Sequence, residues 1–76
     1  MTYPEEIKKI RQKCLLTQQA FAKELNVSFS TVNRWEGGKT RPNITAMKAI
    51  KNFCQGHNVE YSSLEEAWLN FKKISL

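Results

Sequence analysis

Apolar residues recur every three or four positions along most of the chain, which is the spacing of one face of an α-helix. In residues 4–14 this spacing is carried by Ile7, Ile10 and Cys14, so that one stripe of the segment is apolar. Similar stripes follow further along the chain. The pattern predicts five short helices, over residues 4–14, 18–25, 29–36, 44 to about 55, and about 63–74.

Residues that favour helix ends stand between these segments. Thr17, Ser28 and Asn43 each precede a predicted helix, where a side-chain oxygen can accept a bond from a free N–H of the first turn. Asn26 tolerates the left-handed conformation that a tight turn between helices needs. The remaining predicted ends are Gly37 and Gly38 after the third helix, Gly56 as the C-cap of the fourth, and a capping box of Ser62 or Ser63 with Glu65 or Glu66 before the fifth.

Length and composition favour an all-helical protein. The chain has 76 residues with only three Gly and two Pro, too few for a sheet protein rich in turns. Apolar residues make up 41% of the chain, enough for one small core. We therefore predict an all-α fold in a single domain over residues 1–76, with its core in residues 4–56.

Positive charge is concentrated in the first three quarters of the chain. The net charge is +5, and residues 1–56 hold ten Lys and Arg against four Glu. Residues 57–76 hold two Lys against three Glu. This asymmetry suggests that one surface meets a polyanion, although a merely basic protein would have the same balance.

The second and third predicted helices have the pattern of a helix-turn-helix. Only a small residue such as Ala22 lets two helix backbones approach at their crossing point, and Asn26 can form the turn four residues later. Val27, Val32 and Trp35 can then fix the third helix on the first two. Spacing assigns Val32 and Trp35 to the core.

The opposite face of the third helix has the residue types that read DNA bases. It carries Phe29, Ser30, Asn33 and Arg34. Arg can bind guanine, Asn can bind adenine, and an apolar group can contact the methyl group of thymine. Phe29 is the unusual member, since a contact with a partner protein would also explain an exposed Phe.

Residues 16–43, LTQQAFAKELNVSFSTVNRWEGGKTRPN, resemble the phage-repressor and Cro-like helix-turn-helix domains of the XRE family. The matching elements are LTQ, Ala22, NVS, TVNRWE and KTRP, and a looser similarity covers about residues 5–56. The resemblance implies a five-helix lambda-repressor-like domain that binds double-stranded DNA, often as a dimer on a palindromic operator. It implies base contacts by the exposed face of the third helix and phosphate contacts by Thr17, Gln18, Lys39, Thr40, Arg41 and Asn43.

The last predicted helix allows two interpretations. Trp68, Leu69, Phe71 and Ile74 make it more apolar than a small domain needs. They could form the seam of a homodimer, because large exposed apolar patches mark contacts with partners. Alternatively, Leu64, Trp68 and Phe71 close the core of the chain itself.

The sequence offers little for other chemistry. It contains no Asp, one His and no Gly-rich phosphate loop, so we expect no enzyme activity and no cofactor. Cys14 and Cys54 lack metal-ligand spacing, and we expect two buried, reduced thiols without a metal. The N-terminus does not resemble a signal peptide and no apolar run is long enough to cross a membrane, so we expect a cytoplasmic protein.

Sequence-specific DNA binding by a transcriptional regulator, such as a repressor, is therefore the leading hypothesis. An antitoxin or adaptor that binds a partner protein through its last helix is the alternative from another class. A restriction–modification controller is a further variant of the same domain.

Overall fold

The computed structural model describes residues 2–70, and within them the chain forms five α-helices. The all-α fold predicted from the sequence is confirmed. The second and third helices have the predicted bounds, and the others differ by at most one residue at the ends that are described. The helices are α1 (Tyr3–Lys13), α2 (Gln18–Leu25), α3 (Phe29–Glu36), α4 (Ile44–Gly56) and α5 (Ser62–Asn70).

Three of the predicted N-caps are confirmed. The side-chain oxygen of Thr17 accepts a hydrogen bond from the N–H of Ala20 at 3.1 Å. Ser28 and Asn43 do the same at the starts of α3 and α4, over 3.1 and 2.8 Å. These polar residues end the preceding connection and satisfy an N–H that would otherwise lack a partner in the helix.

Four helices end in the same backbone motif, in which one residue turns into the left-handed region. Asn26 has a φ of 60°, as its position predicted, and the N–H of Val27 then reaches the carbonyl of Ala22 at 2.9 Å. Gly38 supplies this conformation after α3 with a φ of 75°. The other two such residues are Leu15 after α1, with a φ of 58°, and Asn58 after α4, with a φ of 56°.

Two predicted ends are wrong. Gly56 is still helical, and the cap of α4 is His57, because Asn58 rather than glycine supplies the left-handed residue that stops the helix. The capping box of Ser62 or Ser63 with Glu65 or Glu66 does not form. Instead, the carboxylate of Glu60 accepts bonds from the hydroxyls of both serines and from the N–H of Ser63, and these bonds lower the pKa of Glu60.

A single core fills the space between the helices. Phe21 of α2 meets Phe53 of α4 edge to face, with ring centres 5.2 Å apart. Leu64 of α5 is fully buried, so α5 closes the core on the side of α1. Tyr3 is also buried, although it precedes the apolar stripe that the sequence pattern indicated. The buried hydrophobic side chains are Tyr3, Ile7, Ile10, Phe21, Ala22, Leu25, Val32, Trp35, Met47, Ile50, Phe53, Cys54 and Leu64.

Both cysteines are free thiols, but only one of them is buried. Burial raises the pKa of the Cys54 thiol to about 11, so this group stays protonated at neutral pH. Cys14 is half-buried, contrary to the prediction, because it lies just beyond the end of α1. Residues 2–70 contain no cluster of side chains suited to hold a metal ion, and none of their helices has the length and apolarity needed to span a bilayer.

Leu15 is the strained position of the fold. Its side chain is 92% exposed and therefore buries little apolar surface. Its left-handed backbone conformation costs a residue with a Cβ about 1–2 kcal/mol. We predict that Leu15→Gly raises the free energy of unfolding by about 1 kcal/mol, measured by urea denaturation. Asn58→Gly is the matched control and should gain much less, because Asn tolerates this conformation. Equal gains in the two variants would contradict the prediction.

Candidate nucleic-acid interface

The two faces of α3 differ as the sequence predicted. Val32 and Trp35 are buried against α1 and α2, with exposed fractions of 0% and 3%. The four side chains predicted to face bases all lie on the exposed surface of the helix, and Phe29 is 51% exposed. An apolar inner face thus holds α3 in place while its outer face stays open to a ligand. The outer face consists of Phe29, Ser30, Asn33 and Arg34.

A polar network supports this outer face from the side of α1 and α2. The guanidinium of Arg11 donates two parallel bonds to the carboxylate of Glu36, at 2.7 and 2.9 Å. Gln18 donates a third bond to the same carboxylate at 3.0 Å. The side-chain oxygen of Gln18 accepts a bond from the side-chain amide of Asn33 at 3.1 Å. The network therefore runs without interruption from α1 to a residue of the outer face.

The Arg11–Glu36 pair is stronger than an ordinary surface ion pair. Its side chains are 12% and 5% exposed, and a two-bond geometry between guanidinium and carboxylate is among the strongest in proteins. The hydrogen bond to Glu36 raises the pKa of Arg11. A third donor group of Arg11 bonds the carbonyl of Leu16 at 2.8 Å, which also fixes the connection into α2.

The segment after α3 presents polar groups next to the outer face. We call residues 37–43 the α3–α4 loop. The left-handed conformation of Gly38 lets the N–H of Lys39 reach the carbonyl of Arg34 at 2.9 Å. The loop thereby turns back toward Arg34 of the outer face, and the side chains of Lys39 and Thr40 are exposed.

Comparison with known families identifies this arrangement. Residues 7–56 match the sequence model of a family described as helix-turn-helix. The chain belongs to this family. The resemblance of residues 16–43 to the XRE type of helix-turn-helix is thereby confirmed.

A curated relative has the same domain in a longer protein. The chain is 36% identical over 53 residues to an HTH-type transcriptional activator, BcrR, from Enterococcus faecalis. The alignment covers 70% of this chain but only 26% of that relative. The chain therefore spans about a quarter of the relative's length. No solved structure matches the chain.

Five of the six residues predicted to bind phosphate lie at the start of a helix or are exposed on the α3–α4 loop. Thr17 and Gln18 lie at the start of α2 and Asn43 at the start of α4, where free N–H groups of the first turn favour an anion. Lys39 and Thr40 are exposed on the α3–α4 loop. The phosphate contacts of these residues stay predictions.

Arg41 differs from the rest of the predicted phosphate set. It is half-buried, it donates a bond to the carbonyl of Trp68 at 2.9 Å, and its guanidinium lies 4.2 Å from the centre of the Trp68 ring. Part of its hydrogen-bonding capacity is therefore used within the chain. Sequence reasoning missed this contact because α5 lies far from Arg41 along the chain.

Local sequence patterns give little indication of the polar network that joins α1, α2 and α3. Arg11 of α1 and Glu36 of α3 are its charged members. Opposite charges at two half-buried helix positions are a signal, but 25 residues separate them and local patterns do not connect them.

We predict that Glu36→Gln lowers the free energy of unfolding by about 2 kcal/mol, because the charged acceptor of three hydrogen bonds is lost. Glu24→Gln is the control, since Glu24 is exposed on α2. Urea denaturation at neutral pH measures both variants. Equal stability of the two would show that the network contributes nothing beyond a surface charge.

Proposed function

We propose that the chain binds double-stranded DNA in a sequence-specific way by inserting α3 into the major groove. The observation that carries this proposal is the outer face of α3, which is exposed and polar while its inner face is buried. A helix fits the width of the major groove, and the second helix of such motifs is the one that enters it.

Each residue type on the outer face has a chemical counterpart on a base edge. Arg34 can donate two bonds to the O6 and N7 atoms of guanine, and Asn33 can pair with N6 and N7 of adenine. Gln18 and Glu36 restrict the side chain of Asn33, so less rotamer freedom is lost on binding. Phe29 is suited to the methyl group of thymine because it is apolar and half-exposed.

Phosphate contacts would orient the domain on the duplex. We assign them to the exposed loop side chains Lys39 and Thr40 and to the helix starts at Thr17, Gln18 and Asn43. Arg41, the sixth residue of the predicted set, is instead engaged with Trp68. The excess of positive charge in residues 1–56 favours approach to a polyanion.

Two substitutions separate base reading from phosphate binding. Arg34→Ala should lower the preference for the selected site over random duplex by about 1–3 kcal/mol. Lys39→Ala should weaken binding to all duplexes alike and reduce the slope of log affinity against log salt by about one. The measurement is fluorescence anisotropy with a site selected from random DNA, at several salt concentrations.

Lys8→Ala is the control for lost charge, because Lys8 is an exposed residue of α1 outside the proposed contacts. Wild-type specificity in Arg34→Ala would show that α3 does not read bases as assigned. A wild-type protein without affinity for any duplex would overturn the proposed function itself.

We further propose that two copies act together, because one domain makes few base contacts and two-fold sites place recognition helices about 34 Å apart. Leu69 on α5 is 59% exposed and Ile44 on α4 is 62% exposed, so apolar surface is available for a second copy. Trp68 contributes less to this surface than we predicted from the sequence, because its ring packs within the chain. The other predicted members of the seam, Phe71 and Ile74, lie outside the described residues.

Leu69→Glu should shift the protein from dimer to monomer in sedimentation equilibrium at micromolar concentration, because a charge replaces exposed apolar surface. The matched control is Leu15→Glu, which changes another exposed leucine in the same way on the connection between α1 and α2. Identical apparent masses for the two variants would contradict a seam at Leu69.

The resemblance to phage repressors favours repression, whereas the curated relative is named an activator. Both outcomes follow from occupation of an operator, so the position of the selected site relative to the promoter decides between them.

A partner protein on α5, as in an antitoxin or adaptor, is the second candidate. The observation that favours it is the same exposed Leu69, at the edge of a groove between α4 and α5.

A further inference from the structure

The α3–α4 loop is held by side chains from the two ends of the described chain. The hydroxyl of Tyr3 donates a bond to the carbonyl of Thr40 at 3.0 Å. The indole N–H of Trp68 donates a bond to the carbonyl of Pro42 at 2.6 Å. Tyr3 lies in the first turn of α1 and Trp68 in the last turns of α5, and these two helices pack against each other.

Trp68 also contacts the loop from its other surfaces. The guanidinium of Arg41 lies 4.2 Å from the centre of the Trp68 ring and donates a bond to the Trp68 carbonyl at 2.9 Å. Pro42 is fully buried beside these groups. One residue of α5 thus engages two consecutive loop residues through a hydrogen bond from its ring, a cation–π contact and a hydrogen bond to its backbone.

The contacts of Tyr3 and Trp68 with the loop lie directly beside groups that we assign to DNA phosphates. Lys39 and Thr40 precede Arg41 in the loop, and both are exposed although the residues after them are buried or half-buried. The loop has no helix or strand of its own to set its course. Its position therefore depends on the side chains that bind its carbonyl groups.

We infer that Trp68 is a positioning residue for DNA binding, which holds the α3–α4 loop so that Lys39 and Thr40 meet the phosphate backbone. The inference rests on the proposed function and adds a role for α5, which lies outside the residues that match the family. Docking of α5 and affinity for DNA are then linked, because a change that moves Trp68 also moves the loop.

Trp68→Phe tests this role with little change in apolar packing, since it keeps an aromatic ring and removes the N–H that reaches Pro42. Binding to a 24-base-pair duplex of mixed sequence should weaken by about three- to tenfold at low salt, the effect of one lost hydrogen bond. The slope of log affinity against log salt should fall by about one. In the free protein, the amide resonances of Lys39 and Thr40 in ¹⁵N–¹H spectra should shift.

Ile50→Val is the matched control, because Ile50 is fully buried in α4 and makes no contact that we assign to the loop. It should lower the melting temperature without changing the salt slope or the loop resonances. Tyr3→Phe is an independent second variant, which removes the hydroxyl that binds Thr40 and should shift the same resonances. It keeps the test decisive if Trp68→Phe does not fold.

Wild-type loop resonances and salt slope in Trp68→Phe, or in Tyr3→Phe where only that variant folds, would overturn the inference. A change of the same size in Ile50→Val would also overturn it, because lost stability alone would then explain the effect. If wild-type protein does not bind the duplex, the proposed function fails together with the role of Trp68 in affinity. The spectra of the free protein still report separately whether Trp68 holds the loop.

Discussion

The carboxylate of Glu36 is the group on which the placement of α3 and of its outer face depends. It accepts two bonds from Arg11 of α1 and one from Gln18 of α2, and it belongs to α3 itself. Three short helices therefore share one acceptor, half-buried at the place where they meet. A bond between charged groups in such a site has strict geometry, so it fixes the rotation of α3 about its own axis as well as its position. Apolar packing of Val32 and Trp35 alone would leave that rotation less well defined, since apolar contacts are not directional.

Helices of eight residues are too short to be stable alone, and their ends must be satisfied individually. An N-cap side chain begins α2, α3 and α4, and left-handed residues at 15, 26, 38 and 58 end the first four helices. These ends allow the chain to reverse direction within a few residues, which the helix-turn-helix needs. Three of the four left-handed positions carry Asn or Gly, the residues that adopt this conformation most easily, and Leu15 is the exception.

The parts of the fold that could be predicted from sequence are those set by neighbours along the chain. Caps at Thr17, Ser28 and Asn43 and the period of Val32 and Trp35 are local signals, and they defined α2 and α3 correctly. Where two local signals competed, prediction was wrong. Before α5, Glu60 and two serines could all serve as caps, and only the structure shows that the carboxylate of Glu60 accepts the bonds. The exposed face of α3 was predictable because periodicity divides a helix into two sides.

Contacts between distant segments were beyond local reasoning. Neither the bond from Gln18 to Glu36 nor that from Trp68 to Pro42 leaves a periodic trace in the sequence. The resemblance to a family singled out Gln18 as a phosphate contact, and the structure adds its hydrogen bonds to Glu36 and Asn33 of α3. It could offer no such hint for Trp68, since α5 follows the last residue that matches the family.

The charge of α5 shows why its effect on DNA would be indirect. Glu65 and Glu66 make this helix acidic within a basic protein, so its own surface would repel a phosphate backbone. Trp68 reaches the loop with an uncharged ring and N–H, and it holds the cationic Arg41 of the loop against α5. A helix that is unsuited to contact DNA would in this way support the groups that we propose to contact it. Leu69 of the same helix is exposed at the groove between α4 and α5, so the two neighbouring residues 68 and 69 of α5 have different surroundings.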